Sequence, residues 1–331
     1  ITGTDGKTTT TLMAAAIIKS AGLRTLAVGN TDIPLISALD TDSQAFAVEC
    51  SSFRLAHIQQ FRMRASAWLN FAPDHLNWHP NLSDYFAAKA KMWAHCIEGD
   101  VAVAPVDDQQ IVSIAQASKA RVVTFGIADG DYHASEGWLC GPMGRIMPIS
   151  DMGRSLPHDV TNALAAAAVC LESGLATAAD VSRALQNFVN APHRIQFVGE
   201  KGGVRWFNDS KATSPHAVSV ALKSFESIVL IAGGRNKGLN LSALADYPSR
   251  MRAVVAIGDA ADEVAGAFSE VCEVRSATTM QEAVNMAGDI AQQGDVVLLS
   301  PGCTSYDWYA NYGQRGEDFM KCVGKLLSSK E

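Results

Sequence analysis

Short apolar runs alternate with stretches in which apolar residues recur at helical spacing, and glycines mark most of the changes between them. "TLMAAAIIKSAG" predicts a helix stopped at Gly22, and "LRTLAVG" the strand after it. "AFAVEC" predicts a strand ending at Glu49 and Cys50, and "ASAWLNF" one ending at Asn70. "LSDYFAAKAKMWAHC" is helical, and "DVAVAPVDD" and "ARVVTFG" are strands. Strands alternating with helices predict an α/β domain with a mostly parallel sheet.

The stretch 131–156 breaks this rhythm with four glycines and two prolines, which predicts a small antiparallel part. "HDVTNALAAAAVCLESG" and "TAADVSRALQNF" are two helices. Near "VNAPHR" the pattern restarts. The strands "VRWFNDS", "SIVLIAGG", "RAVVAIG", "CEVRSA" and "DVVLLSPG" alternate with the helices "SPHAVSVALKSF", "AADEVAGAFS" and "MQEAVNMAGDIAQQ". Ser214 is the expected cap of the first of these helices, with Pro215 in its first turn. The expected boundary falls at about residue 190, giving domains 1–190 and 191–331.

Composition narrows the function classes. With 331 residues there is room for about two domains. A hydrophobic share of 48% against 18% charged residues excludes a disordered chain. A formal net charge of -7 without a basic stripe argues against a nucleic-acid partner. Seven dispersed cysteines without a C-x-x-C pair fit reduced thiols. No run is long and apolar enough for membrane insertion and no signal peptide is visible, so a cytoplasmic protein is expected.

The candidate chemistry starts at the first residues. In "ITGTDGKTTTT", Gly3, Gly6, Lys7 and Thr8 fit G-x-x-G-K-T. Gly6 permits a tight turn, Lys7 would reach β and γ phosphates, and Thr8 would ligate Mg²⁺. The following helix would turn its positive end to the anion. The strict motif has a glycine where Ile1 stands, and a glycine turn capped by threonine is the plain alternative. Glu49, at a strand end, can hold Mg²⁺ beside such a loop or cap the "SSF" helix. Asp74 and His75 lie on a loop at the carboxyl edge of the sheet, where ligands bind in open α/β sheets. His79 is nearby, but no H-E-x-x-H or cysteine spacing supports zinc.

Lys89 sits among alanines, an odd setting for a solvated lysine. "WFNDSKATSPHA" puts Asn208, Asp209, Ser210, Lys211 and Thr213 at a strand-to-helix junction. "SPGCTSYDWYANYGQRG" brings Ser300, Thr304, Ser305, Tyr306 and Tyr312 after a buried strand, a composition suited to a small polar ligand or to a hinge.

Nine blocks, in order along nearly the whole chain, resemble the Mur ligase family, the ATP-dependent amide ligases of peptidoglycan synthesis. They are "GTDGKTTTT", "VECSSF", "NFAPDHLNWH", "YFAAKAKMW", "HDVTNALAAA", "APHR", "WFNDSKAT", "GGRNKG" and "SPGCTSYDWYANYGQRG". The resemblance implies a P-loop-type ATP-binding domain with a mostly parallel sheet and a small antiparallel part, followed by a Rossmann-like α/β domain. "NDSKAT" and the last block favour the branch that adds D-glutamate to UDP-N-acetylmuramoyl-L-alanine, acting as a monomer.

By position, the resemblance implies that Gly3, Thr4, Asp5, Gly6, Lys7, Thr8 and Thr9 hold ATP. Thr8 and Glu49 would bind one Mg²⁺, and His75 and a carbamylated Lys89 the second. Asn162, with Asp159, would face the adenosine, and Arg194 and Asp209 would complete the nucleotide site. Lys211, Thr213, Lys237, Ser305, Tyr306 and Tyr312 would meet D-glutamate and the transferred phosphate. Asn30, Ser51 and Ser52 would meet the muramoyl substrate, and His193 is a conceivable base.

The chain departs from the family pattern at Thr31 and Asp32 in "GNTD", at Asp159, and at Tyr306 and Tyr312. The family normally carries a further N-terminal UDP-binding domain and a strand leading into the phosphate loop, and neither stands before Ile1 in the sequence as given. The alternatives are a sister Mur or folylpolyglutamate-type ligase for another amino acid, or a non-catalytic remnant of the fold. A P-loop kinase or GTPase would leave "NDSKAT" unexplained.

Overall fold

A computed structural model describes residues 1–328 apart from positions 32 and 77. Asp32, one of the departures noted above, lies outside the described residues. The chain forms two compact units, Ile1–Val189 and Asn190–Glu331.

The first unit opens with α1 (Lys7–Ser20), four residues earlier than the apolar pattern alone predicts. Thr9, Thr10 and Thr11 are buried along it, so the threonine run is part of the packed face. Then come β1 (Thr25–Gly29), α2 (Leu35–Ala38), β2 (Ala45–Glu49), α3 (Ser52–Leu55), β3 (Ala65–Ala67) and α4 (Leu82–Ala90). β4 (Val101–Pro105), α5 (Gln109–Ala117) and β5 (Arg121–Phe125) follow. β6 (His133–Ser135), β7 (Trp138–Gly141) and β8 (Gly144–Pro148) form the small antiparallel sheet. α6 (Pro157–Glu172) and α7 (Ala178–Gln186) close the unit.

β1 and β2 pair in parallel, and so do β3, β4 and β5. Ile1 and Thr2 splice these two sheets together. The Ile1 nitrogen donates to Val48 O at 2.8 Å, and Cys50 N donates to Ile1 O at 2.8 Å. On the other side Thr2 N donates to Ala67 O and Leu69 N to Thr2 O, both at 2.9 Å. The phosphate-loop residues therefore leave from the middle of a continuous parallel arrangement, at the carboxyl ends of the strands. α1 packs against α6 and α7. In α6 every side chain from Ala163 to Ala168 is at 0% exposure, and alanine lets neighbouring elements approach it closely.

The second unit runs β9 (Gln196–Lys201), β10 (Val204–Asn208), α8 (Pro215–Leu222), β11 (Ile228–Gly233) and β12 (Met251–Ile257). It continues with α9 (Ala261–Phe268), β13 (Glu273–Ala277), α10 (Met280–Ile290), β14 (Val296–Gly302) and α11 (Tyr312–Ser328). The sheet order is β13-β12-β11-β14-β10-β9, parallel except for the edge strand β9. Strands continue from β11 in one direction to β12 and β13, while β14 lies on its other side. The carboxyl ends of β11 and β14 thus form a topological switch point, where open α/β sheets bind ligands. The central strands carry continuous apolar runs with residues such as Val229, Ile231, Val297 and Leu299 wholly buried, as expected of strands covered on both faces. Ser214 Oγ accepts from Ala217 N at 3.4 Å, so the predicted cap of α8 is formed. Among the described residues no helix is long and apolar enough to cross a membrane.

Candidate active site

Gly6 is the N-cap of α1 and sits in the left-handed region at φ 78°. A Cβ there would lie 2.4 Å from Asn162 Oδ1, so both conformation and space demand glycine. The loop before it is held by the segment after β3. Asn70 Oδ1 accepts from Thr4 N and Asp5 N, both at 2.9 Å, and Asn70 Nδ2 donates to Asp5 O at 3.3 Å. Thr4 Oγ1 donates to Ala72 O at 3.1 Å and lies 3.2 Å from the Tyr85 hydroxyl. Lys7 folds back over the loop, donating to Gly3 O at 3.0 Å and Thr4 O at 2.6 Å. The positive end of the α1 dipole therefore opens onto a loop that is already formed and carries an ammonium group.

Lys89 reaches the same loop from α4. It is 1% exposed, donates to Gly3 O at 2.7 Å, approaches Thr2 Oγ1 at 3.5 Å, and lies over the Tyr85 ring at 4.8 Å. Burial, and then the nearby Lys7 cation, hold its pKa well below that of an ordinary lysine, against the opposing influence of Asp74 and Asp5. Its burial against the loop explains the alanine setting seen in the sequence.

Glu49 ends β2 at 2% exposure. Its Oε1 accepts from Asn30 Nδ2 at 3.2 Å, while its Oε2 has no hydrogen-bond partner among the described residues. It does not cap the helix that follows. Ser51 does, accepting from Arg54 N at 3.4 Å. Ser52 instead pairs its Oγ with His79 Nε2 at 2.9 Å, with both side chains buried. His75 adopts φ 56°, and its Nε2 stands 3.4 Å from Asp74 Oδ2. Its ring packs against Phe53 at 4.8 Å. Burial lowers the His75 pKa, Asp74 raises it, and Lys7 and Lys89 lower it further. The Lys7 and Lys89 charges therefore both act against protonation of His75. Asn30, expected at the muramoyl substrate, and Glu49, expected at Mg²⁺, form a single hydrogen-bonded pair.

Asn162 buttresses the loop: besides facing Gly6, its Oδ1 accepts from Thr10 Oγ1 at 3.2 Å. Asp159 is wholly buried, bound by Arg154 Nε at 3.2 Å and 3.4 Å from His158 Nε2. A cavity of about 850 Å³ runs along the carboxyl ends of β3, β4 and β5, walled by Asn70, Phe71, Val106, Phe125, Ile127 and Thr161.

In the second unit, Asp209 Oδ1 accepts from Ile195 N at 3.2 Å and its Oδ2 from Ser300 Oγ at 2.7 Å. Arg194 is half-buried in the turn between His193 and Ile195, both at positive φ. His193 Nδ1 lies 2.9 Å from Asn208 Nδ2, and burial lowers its pKa. The Lys211 ammonium lies 5.2 Å from the Tyr312 ring centroid, and Lys211 N donates to His193 O at 3.1 Å. Ser305 is buried, whereas Tyr306 is 63% exposed. Lys237 is exposed on the turn after β11, and Thr213 is half-buried just before α8. Tyr312 starts a long helix where the sequence suggests a loop. Asn70, Tyr85 and Arg315 hold these sites together without having been singled out from the sequence. Asn70 ends the short segment that runs on from β3 beside the loop, the one cue that could have marked it.

A phosphate loop on a parallel sheet, joined in one chain to a Rossmann-like unit, defines an ATP-type ligase architecture. The model for the Mur ligase middle domain matches residues 1–170, and that for the Mur ligase glutamate ligase domain matches residues 193–303. The chain belongs to the Mur ligase family. It is 38% identical over 339 residues to UDP-N-acetylmuramoylalanine--D-glutamate ligase of Frankia casuarinae, covering 98% of this chain and 71% of that protein. It is 36% identical to the ligase of the same name from Trichlorobacter lovleyi, covering 98% and 75% respectively. The fold matches the crystal structure of MurF ligase from Thermotoga maritima in complex with ADP, with a TM-score of 0.73 at 18% identity over 99% of this chain and 79% of that one.

Proposed function

We propose that this chain joins D-glutamate to UDP-N-acetylmuramoyl-L-alanine at the expense of ATP, the reaction named for its relatives. A carboxylate at neutral pH resists attack by an amine. Transfer of the ATP γ-phosphoryl group to the alanyl carboxylate gives an acyl phosphate and ADP. The unprotonated D-glutamate amine then attacks the carbonyl carbon, phosphate leaves with the C–O bonding pair, and the proton lost by nitrogen as the amide forms passes to that phosphate.

The observation that carries this reading is the buried Lys89 amine, fixed on Gly3 O of the loop that Gly6 and Asn162 shape. In this reading Lys7 and the α1 N-terminus hold phosphate oxygens in the transition state. Lys89 reacts as the neutral amine with carbon dioxide, releasing a proton and leaving a carbamate. That sets an anion beside the Lys7 cation. Mg²⁺ fits the donor set. Glu49 offers a buried carboxylate oxygen without a partner among the described residues, and Thr8, His75 and the Lys89 carbamate complete the proposed holders. Among the described residues no three His, Cys, Asp or Glu side chains converge, so phosphate oxygens would supply the remaining ligands. When bound, the ions neutralise charge gathering on phosphoryl and carboxylate oxygens. Lys211, Thr213, Ser305 and Tyr312 receive D-glutamate, and Asn30 and Ser51 the muramoyl substrate.

The test is phosphate release from Mg²⁺-ATP with UDP-N-acetylmuramoyl-L-alanine as acceptor, offered D-glutamate, L-glutamate, L-lysine or meso-diaminopimelate in turn. D-glutamate alone should support turnover. Turnover with another amino acid instead would reassign the chain to a sister activity, and silence with all four would refute ligation.

A further inference from the structure

We infer that Arg315 is a positioning residue that holds the amino-acid-binding loops of the second unit at a fixed spacing and so sets affinity for the amine substrate. The inference rests on the ligase reading above. Arg315 lies one turn into α11 and is 1% exposed. Burying a guanidinium is costly unless its donors are satisfied. Here they are satisfied by neutral oxygens of two separate loops. Nε donates to Ser210 Oγ and Nη2 to Ser210 O, both at 2.9 Å. Nη1 and Nη2 donate to Cys303 O at 3.2 and 3.1 Å.

Each loop carries residues assigned to the substrate. Ser210 immediately precedes Lys211, and Cys303 stands two residues before Ser305. Ser210 Oγ also donates to Tyr312 O at 2.8 Å, which closes the circuit onto the first turn of α11. A third loop meets the same group. A Cβ at Gly234, three residues before Lys237, would lie 3.1 Å from Arg315 Nη1 and 2.3 Å from Thr304 O. The loops bearing Lys211, Lys237 and Ser305 therefore converge on one planar fork at the switch point of the sheet. A hydrophobic residue would pack there but could not fix their spacing. Lysine has the charge but not the fork. Arg315 spends its donors on Ser210 and Cys303 oxygens, so the role is spacing and not chemistry.

The experiment uses the full chain with Arg315→Met, Arg315→Lys and Ser210→Ala, varying D-glutamate, acceptor and ATP separately in the phosphate-release assay. Arg315→Met should raise KM for D-glutamate about tenfold or more. Asp209 keeps its own bonds to Ile195 N and Ser300 Oγ, so KM for ATP should rise severalfold less, with kcat within about threefold. Arg315→Lys should not rescue it, and Ser210→Ala should shift the same KM by less. Hydrogen–deuterium exchange should quicken at 209–213 and 303–305 in Arg315→Met while unit one stays protected. Unchanged KM for D-glutamate, or equal loss across all substrates, would overturn the inference. If Arg315→Met does not fold, the D-glutamate KM of Ser210→Ala decides. If the wild-type chain shows no D-glutamate-dependent release, the ligase reading fails, and unchanged exchange in the two loops would separately overturn the latch.

Discussion

Gly316→Ala tests the packing around His193, because two physical effects predict opposite signs. Inside a helix alanine is favoured over glycine by about 1 kcal/mol, so propensity alone predicts stabilisation. At Gly316, however, an added Cβ would lie 2.2 Å from His193 Nδ1 and 2.9 Å from Asn208 Nδ2. His193 cannot simply swing aside. It is 8% exposed at φ 63°, its backbone N donates to Gln196 Oε1 at 3.0 Å, and its carbonyl accepts from Lys211 N. Overfilling a packed site costs about 1–3 kcal/mol. Parting His193 from Asn208 leaves buried polar groups unsatisfied, for about 1–3 kcal/mol more. Less the gain in propensity, the net loss is about 1–5 kcal/mol. Gly324→Ala, in the same helix and with nothing within 4 Å of its Cβ, is the control and should stabilise by about 1 kcal/mol. Urea denaturation of both variants, with the slope held constant, reads the difference. A shift of both midpoints in the same direction would refute the packing argument.

Two further outcomes follow from single side chains. Glu49→Gln keeps an acceptor for Asn30 and removes a buried carboxylate whose Oε2 has no partner among the described residues, so its denaturation midpoint should be at least that of the wild type, while Mg²⁺-dependent phosphate release should fall about a hundredfold. Lost stability with activity intact would contradict the metal role. Arg62 donates to both Asp100 oxygens, at 2.8 and 2.7 Å, and this pairing holds the buried Asp100 carboxyl below the usual range. A depressed carboxylate pKa stabilises the fold above its unfolded value of about 4, and that contribution is lost as pH falls through the folded value. Arg62→Met should therefore move the onset of acid unfolding to higher pH, and overlaid acid titrations of variant and wild type by circular dichroism would contradict it.

The strands and the longer helices were legible because burial imposes their periods. Elements that escaped had weaker signals. The edge strand β9, "QFVGEK", has a glycine in its middle and a Phe197 that is 55% exposed. In α11, "YGQRGEDFMKCVGKLLS", three glycines and an aromatic-rich approach hide a clear amphipathic helix. At the site, chemistry-bearing residues next to one another in sequence were visible, and so was the misfit of Lys89 among alanines. What joins them was not. Asn70 grips amides 65 and 66 positions away, and Asn162 meets Thr10 across 152. Local spacing cannot encode such distances, and the contact of Asn162 with the loop shows only in the fold.

The splice made by Ile1 and Thr2 has a thermodynamic consequence. Two residues join two sheets, and the phosphate loop begins at the very next position. A ligand that binds the folded loop and not the unfolded chain would stabilise the join along with it. Were nucleotide to bind there, its occupancy and the unity of this half of the protein would be reciprocal.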